Sequence, residues 1–181
     1  MPDILLLQPP IRDFYLTAKR TVPYGLACIA AALRQAGFSV DILDALATSR
    51  SRKSRLPPEM NYLKAFYGLP DVSPFGLFHH YRHFGRSYAH IQRQVEHSGA
   101  FLVGISSLFT AYEQEAVKTA ETVKAALPDC KTVLGGHHPT ALPETVMQSS
   151  AVDFVLRGDG EISMPLLARA LANGEDLERV P

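Results

Sequence analysis

The chain has 181 residues, of which 46% are hydrophobic and 20% are charged, and its 18 Lys and Arg balance its 18 Asp and Glu. This composition is typical of a globular protein and excludes a disordered, collagen-like or low-complexity chain. A chain of this length buries roughly 70% of its unfolded surface, so it needs no disulfide or metal to fold. The zero net charge argues against a dedicated nucleic-acid-binding protein, whose affinity would come largely from Lys and Arg.

The cysteines and apolar runs indicate the cellular compartment. Cys28 and Cys130 are too few for a disulfide framework, and each lies in an apolar segment, where we expect it to be buried. The first apolar run, residues 4–7, is too short for a signal peptide, and no run approaches the roughly 20 apolar residues of a membrane span. We therefore predict a soluble cytoplasmic protein.

Short apolar runs alternate with helical periodicity along the first part of the chain. Residues 4–7 form a continuous apolar run, which is typical of a strand that is buried on both faces. A helix is predicted to begin near Pro23 and to end before Gly37, and residues 38–43 are predicted to form the second strand. The apolar face of this helix consists of Leu26, Ile29, Ala30 and Leu33.

The same alternation returns in the last part of the chain. Residues 101–105 are predicted to form a strand, after which Thr110 and Glu113 match a capping box that opens a helix. Pro128 is expected to stop that helix. The remaining predicted elements are a strand over 132–134, a short helix from Pro143, a strand over 152–156 and a helix from about Glu161 to Asn173.

Five strands that alternate with helices predict an α/β fold in which a parallel sheet has helices on both faces. We predict a flavodoxin-like (Rossmann-like) three-layer fold with strand order 2-1-3-4-5. Ligands of such sheets bind beyond the carboxyl ends of the strands, close to the point where the strand order reverses. The functional residues are therefore expected in the loops that follow Leu7, Ile105, Leu134 and Leu156.

Residues 45–99 interrupt this alternation, because they are about fifty residues long where a minimal unit would use about fifteen. The segment begins with a basic run, residues 50–55, that we expect to be mobile and solvated. It ends in an amphipathic stretch, residues 88–97, in which Ile91 and Val95 lie one helical turn apart. We predict an insert with one or two helices between the second and third strands, placed over an edge of the sheet or over the ligand face.

Several familiar uses of this fold are excluded by its loops. A dinucleotide site needs G-x-G-x-x-G after the first strand, but residues 8–25 contain a single glycine. A phosphoacceptor domain needs an aspartate at the end of its third strand, where this chain has Ile105-Ser106. A flavodoxin needs a phosphate loop rich in Ser, Thr and Gly after the first strand, and Gln8-Pro9-Pro10 does not supply one.

Two other loop motifs remain, Ser106-Ser107-Leu108 and Gly135-Gly136. Each has a purely structural explanation, because serines bond to loop backbone and glycines permit tight turns. Together, at the ends of adjacent strands, they suit a flat, bulky group that slides between the loops. The glycines would remove side-chain bulk, and a serine hydroxyl could bond to a ring nitrogen.

Residues 103–110, 133–140 and 155–161 resemble the cobalamin-binding domain found at the N-terminus of radical S-adenosylmethionine enzymes. Ser106-Ser107-Leu108 matches the S-x-L motif of cobalamin domains, and Gly135-Gly136 matches their Gly-Gly. The resemblance implies a single cobalamin-binding domain over residues 1–181, with the nucleotide tail of cobalamin inserted beside the sheet. The cofactor-binding residues that it implies are Ser106, Ser107, Leu108, Thr110, Gly135, Gly136, His137 and Gly158.

The chain departs from the family pattern in two places. Many cobalamin domains have D-x-H-x-x-G before the first helix, and its histidine is the lower cobalt ligand. With the last glycine placed on Gly25, the histidine position is Val22 and the aspartate position is Arg20, so no histidine of this loop would bind cobalt. The C-x-x-x-C-x-x-C cluster motif is also absent.

The resemblance then implies a radical domain after residue 181, which would hold S-adenosylmethionine and a 4Fe-4S cluster. The leading hypothesis is a cobalamin-binding module of such an enzyme, which performs methyl transfer or another radical transformation. The module alone would have no catalytic residue. A second hypothesis is a cofactor-free, degenerate domain that docks substrate or a neighbouring domain. A third is a stand-alone flavodoxin-like enzyme with His137 or His138 as base, beside Asp159 or Glu161.

The remaining histidines could reach metal-ligand spacing only on a helix. His79 and His83 are four residues apart, and His83, His90 and His97 are seven apart. No carboxylate or thiol completes a set at fixed spacing, and Gly85 interrupts the helix. We expect no native metal site here.

Overall fold

The computed structural model describes residues 1–15, 22–63, 65 and 80–180. A five-stranded sheet, in which all neighbouring strands are parallel, has the order β3-β1-β6-β7-β8. Its strands are β1 (Ile4–Gln8), β3 (Val40–Asp44), β6 (Leu102–Ser106), β7 (Lys131–Gly135) and β8 (Phe154–Leu156). Counted along the chain this order is 2-1-3-4-5, which confirms the predicted flavodoxin-like fold.

Helices cover both faces of this sheet. They are α1 (Tyr24–Gln35), α2 (Tyr88–Ser98), α3 (Glu113–Ala126), α4 (His137–Ala141), α5 (Pro143–Val146) and α6 (Gly160–Asn173). Successive strand residues face opposite sides, so Ile4 and Leu6 of β1 pack with α1 and α6. Leu5 and Leu7 pack with α2 and α3. This two-sided burial explains why the strand reads as an unbroken apolar run.

The regular elements lie close to their predicted positions. The helix predicted from Pro23 begins at Tyr24, and the last helix ends at Asn173 as predicted. The short helix predicted from Pro143 is present as α5, and α4 precedes it. None of the helices within the described ranges is long and apolar enough to span a membrane.

The predicted helical insert is wrong in part, because its described residues contain two strands. These are β4 (Ser51–Lys53) and β5 (Arg82–Phe84), which pair antiparallel with each other and, through β5, with β2 (Ile11–Asp13). We call β2, β4 and β5 the small sheet. Three-residue strands depend on partners that are distant in sequence, so no local sequence pattern predicts them. The basic run predicted to be mobile and solvated is exposed at Arg50, Arg52, Lys53 and Arg55, but part of it is ordered as β4.

Helix α2 also differs from the prediction, which placed the helices of the insert over an edge of the sheet or over the ligand face. Ile91 and Val95 are fully buried in the core beside α3, so α2 is the crossover helix between β3 and β6. Segment 45–99 is therefore longer than a minimal strand–helix–strand unit because of the residues that precede α2. A 3₁₀ helix, Pro58–Leu63, lies among them.

The two cysteines have different environments. Cys130 is buried as predicted, and burial raises the pKa of its thiol to about 11. Cys28 is only half-buried, so the expectation of a buried side chain was too strong there.

Candidate functional site

A cleft of about 620 Å³ opens at the carboxyl ends of β1, β6, β7 and β8. Its volume lies within the range of roughly 300–1,000 Å³ that small-molecule sites occupy. The start of α1 and the start of α6 form part of its walls. The cleft is thus at the end of the sheet where the topology predicts a ligand.

Most of the predicted site residues line this cleft. They are Ser106, Ser107, Leu108, Gly135, Gly136 and Gly158. Thr110 and His137 lie outside the lining, since the Thr110 side chain bonds to His138 and His137 is exposed at the start of α4. Contact of any of these residues with a cofactor stays a prediction.

The two glycines after β7 serve different purposes. A Cβ atom on Gly135 would meet nothing closer than the Cβ atom of Leu156, at 3.9 Å, so the absence of a side chain leaves space in the cleft. Gly136 has φ +126°, and a Cβ atom there would lie 2.5 Å from the carbonyl oxygen of Ser107. Gly136 is therefore required for the close approach of two backbones, whereas Gly135 keeps the cleft open.

The cleft continues beyond the strand ends, along the sheet face that carries α1 and α6. Its deep part is lined by Leu6, Gly104, Val133 and Met164. A Cβ atom on Gly104 would lie 2.7 Å from Cδ2 of Leu6 and 3.2 Å from Cε of Met164. Gly104 was not among the predicted site residues, although a glycine inside a buried strand is a recognised sign of close approach.

Hydrogen bonds join the loop after β6 to the loop after β7. The Ser107 N–H donates to the Gly135 carbonyl at 2.8 Å, and the His138 N–H donates to the Ser107 carbonyl at 3.3 Å. Nδ1 of His138 lies 3.2 Å from Oγ1 of Thr110. His138 is only 1% exposed, so the two loops share a buried polar connection beside the cleft.

This connection corrects two expectations. The predicted capping box is wrong, because α3 begins at Glu113 without a side-chain cap and Thr110 instead contacts His138. The carboxylate nearest to His138 is Glu113, whose Oε2 lies 3.6 Å from Nε2, rather than Asp159 or Glu161. These two acidic residues line the cleft, but neither His137 nor His138 does, so the structure does not assemble the proposed histidine base there.

One polar atom of the lining has no partner. The hydroxyl of Ser107 is buried and makes no hydrogen bond within the described part of the chain. Burying a hydroxyl without a hydrogen bond costs free energy, so such groups commonly mark the place of a ligand or a water. Ser107 thus combines a place in the lining of the cleft with a buried hydroxyl whose hydrogen-bonding capacity is unused.

The small sheet forms a further wall of the cleft. Ile11 of β2 lines it together with Leu46 and Tyr15. Of the described residues of the insert, Leu46 lines the cleft without filling it, whereas the hypothesis of a degenerate, cofactor-free domain requires side chains of the insert to fill it.

The histidines do not form the helical array that their spacing allowed. His83 lies in β5, His90 and His97 lie in α2, and His79 lies outside the described residues. Across the described ranges, no group of three or more His, Cys, Asp or Glu side chains could hold a metal ion. At the position where other cobalamin domains have a histidine, Val22 lines the cleft and is 83% exposed, whereas Arg20 lies outside the described residues.

Comparisons with known proteins agree with this geometry. The sequence model of the B12 binding domain family matches residues 78–168, about half of the chain. Cytidylyl-2-hydroxyethylphosphonate methyltransferase of Streptomyces wedmorensis is 27% identical over 164 residues, which are 90% of this chain and 27% of that protein. Hopanoid C-3 methylase of Methylococcus capsulatus is 28% identical over 137 residues, which are 69% of this chain and 27% of that protein. The chain thus spans about a quarter of the length of these curated relatives.

A solved structure has the same fold. TsrM from Kitasatospora setae, a radical S-adenosylmethionine methyltransferase with cobalamin and a 4Fe-4S cluster bound, superposes with a TM-score of 0.64. The match covers 100% of this chain and 26% of that chain, at 17% sequence identity. At this identity the likeness shows the fold alone.

Proposed function

Because the chain belongs to the B12 binding domain family, we propose that it holds cobalamin with the lower nucleotide arm in the cleft between Ser106 and Gly135. The observation that carries this proposal is the open cleft at the strand ends, where Gly135 leaves space and Ser107 has an unpartnered hydroxyl. The location agrees with the general rule for ligands of parallel sheets.

The residues present fit this arm of the cofactor. The arm ends in dimethylbenzimidazole, a flat aromatic group that has a ring nitrogen able to accept a hydrogen bond. The deep lining supplies apolar contacts from Leu6, Val133 and Met164, and Ser106 and Ser107 supply hydroxyl donors. A side chain on Gly135 would project into the space that such a group needs.

The chain's own residues bind and orient the cofactor in this proposal, and none of them acts as a catalytic residue. When bound, cobalamin supplies a cobalt centre that can carry a methyl group. The apolar lining excludes water from the arm, and the bonds between the Ser107 and Gly135 loops keep the cleft in shape before binding. Val22 has no atom that could ligate cobalt, and residues 8–25 contain no histidine, so this loop would supply no histidine ligand to a bound cobalamin.

The activity of a whole enzyme is a wider proposal. The relatives are about four times longer than the matched region and are methyltransferases by name. We propose that this chain is the cobalamin module of a methyltransferase whose radical domain holds S-adenosylmethionine, a 4Fe-4S cluster and the substrate. The cytoplasmic location predicted from the sequence belongs to the same proposal.

Retention of cobalamin by the purified domain tests the binding proposal. The domain is incubated with hydroxocobalamin and desalted, and we expect corrin absorbance to remain with the protein. Gly135→Leu is expected to abolish retention, because its side chain would occupy the cleft. The matched control is Ala125→Leu, which places the same leucine side chain at an exposed position of α3. A wild-type domain that retains no corrin, or a Gly135→Leu variant that retains as much as Ala125→Leu, would overturn the proposal.

A further inference from the structure

A cluster of hydrogen-bonded side chains lies where the small sheet meets the start of α3. The Tyr112 hydroxyl donates to Oδ2 of Asp13 at 2.5 Å, and the hydroxyl oxygens of Tyr112 and Tyr15 are 3.4 Å apart. Both tyrosines line the cleft. We call Asp13, Tyr15 and Tyr112 the tyrosine–aspartate cluster.

The direction of the bond to Asp13 decides what the cluster can recognise. A phenol has one proton, and Tyr112 commits it to the Asp13 carboxylate, so the Tyr112 oxygen remains available only as an acceptor. Burial together with the hydrogen bond to Asp13 raises the pKa of Tyr112, so this proton is retained. The cluster therefore offers an acceptor oxygen with a negative charge behind it, which favours an N–H donor over a second carboxylate.

The cluster is fixed in place rather than free to turn away. Arg12, the neighbour of Asp13 in β2, forms an ion pair with Glu115 of α3. The Glu115 side chain is 3% exposed, so this pair joins the small sheet to the body of the domain. The backbone N–H of Phe14 also donates to Oδ1 of Asp13, at 2.6 Å. Groups held in this way recognise a partner at low entropic cost.

The rest of the cleft has the same electrostatic preference. Asp159 and Glu161 line it near the start of α6, and the lining residues that the structure describes include no lysine, arginine or histidine. An anionic group inside the cleft would thus meet carboxylates without a compensating cation from those residues. A neutral group that donates hydrogen bonds meets no such penalty.

We infer that the tyrosine–aspartate cluster is a specificity site that accepts hydrogen bonds from the primary carboxamides at the edge of the corrin ring. It discriminates against corrinoids in which such a carboxamide is a carboxylic acid. This inference rests on the proposed function, because it assumes that the cleft binds cobalamin. The discrimination arises from two effects, since a corrinoid carboxylate cannot donate a hydrogen bond to the Tyr112 oxygen and is repelled by the Asp13 carboxylate that lies behind it.

The test compares two ligands on one protein. Cyanocobalamin and its separated monocarboxylic acid isomers, each with one peripheral carboxamide hydrolysed, are titrated into the purified domain, and dissociation constants are measured by intrinsic tyrosine fluorescence quenching. For at least one isomer we expect binding about tenfold weaker than that of cyanocobalamin. Asp13→Asn and Tyr112→Phe are each expected to reduce this ratio to about threefold or less. The control Asp129→Asn, which removes a charge from an exposed residue just before β7, should leave the ratio unchanged.

The outcomes separate this inference from the proposed function. If the wild-type domain binds no cyanocobalamin, the proposed function fails. If it binds cyanocobalamin and every acid isomer equally, or if both variants keep the wild-type ratio, only the specificity site is refuted. Because each ratio compares two ligands on one preparation, a partly unfolded variant weakens both constants alike and does not change the ratio.

Discussion

The carbonyl oxygen of Ser107 lies 2.5 Å from the point where Gly136 would carry a Cβ atom. The loop after β6 therefore lies directly against the loop after β7, and the hydrogen bonds that join Ser107 to Gly135 and His138 hold this rim of the cleft together. A Cβ atom on Gly135, one residue earlier, would make only ordinary van der Waals contact, with Leu156 at 3.9 Å. The adjacent glycines therefore separate two requirements, stability at Gly136 and ligand space at Gly135.

Alanine at these two positions should give opposite results. Gly136→Ala places a side chain at φ +126° and against the Ser107 backbone, so we expect a loss of about 2 kcal/mol or more in the free energy of unfolding. Gly135→Ala meets no atom closer than 3.9 Å, so its stability should stay within about 0.5 kcal/mol of the wild type while its affinity for cobalamin falls. Urea denaturation and cobalamin titration measure the two effects. Equal stability of both variants would contradict the assignment.

His138 should stabilise the domain through its contact with Thr110. His138→Ala removes a side chain that is 1% exposed and leaves the Thr110 hydroxyl without this partner, so we expect a loss of about 2 kcal/mol in unfolding free energy. Thr110→Val should cost about 1 kcal/mol. The double variant should lose less than the sum of the single variants, because both remove the same interaction. Additive losses in urea denaturation would show that the two side chains are independent.

The ion pair between Arg12 and Glu115 should matter far more than an exposed pair on the same helix. Arg12→Met leaves the Glu115 carboxylate, 3% exposed, without its partner, and we expect a loss of about 3 kcal/mol in unfolding free energy. The control is Lys118→Met, which breaks the exposed pair with Glu121 and should cost less than about 1 kcal/mol. Urea denaturation compares them, and similar losses for both variants would contradict a buried anchor of the small sheet.

The stability of the domain should depend on the ionisation of Asp153. Burial alone would raise the pKa of this carboxyl, but Lys124 at 2.6 Å and the Thr132 N–H at 2.7 Å outweigh burial and lower it below its ordinary value of 3.8. The folded state therefore binds the Asp153 proton less tightly than the unfolded state does. The resulting stabilisation is complete above the ordinary pKa and is lost as the pH falls through the lowered value.

Asp153→Asn tests this dependence. At about pH 7 the variant should be less stable than the wild type, and the difference should shrink as the pH falls below the ordinary carboxyl pKa of 3.8 and through the lowered folded-state pKa. Urea denaturation at a series of pH values gives the two curves. A constant difference between them across this range would show that the charge of Asp153 does not contribute.

The parallel sheet was predictable from sequence because its signals are local. Residues 4–7 form an apolar run since β1 is buried on both faces, and the helix boundaries follow from proline and glycine positions. The small sheet was not predictable, because each of its strands has three residues and takes its hydrogen bonds from distant segments. Glu115 illustrates the limit. Its position near the start of α3 gives no local sign that it is buried against Arg12, 103 residues away in the chain.

The candidate site was likewise predictable from the sequence only in part. Ser106-Ser107-Leu108 and Gly135-Gly136 were recognisable as motifs, and both line the cleft. The tyrosine–aspartate cluster was missed because Asp13 and Tyr112 are 99 residues apart and belong to no motif. Only the pairing of the small sheet with the rest of the domain brings them together.

The central claim is that the cleft receives the nucleotide arm of cobalamin, and its most direct test is the affinity of the domain for cobalamin against cobinamide, which lacks that arm. Wild-type protein is expected to bind cobalamin at least about a hundredfold more tightly than cobinamide, since the buried aromatic group contributes several kcal/mol. Gly135→Leu should bring the two affinities close together. Equal affinities in the wild-type protein, or a preference that Gly135→Leu leaves intact, would contradict the account.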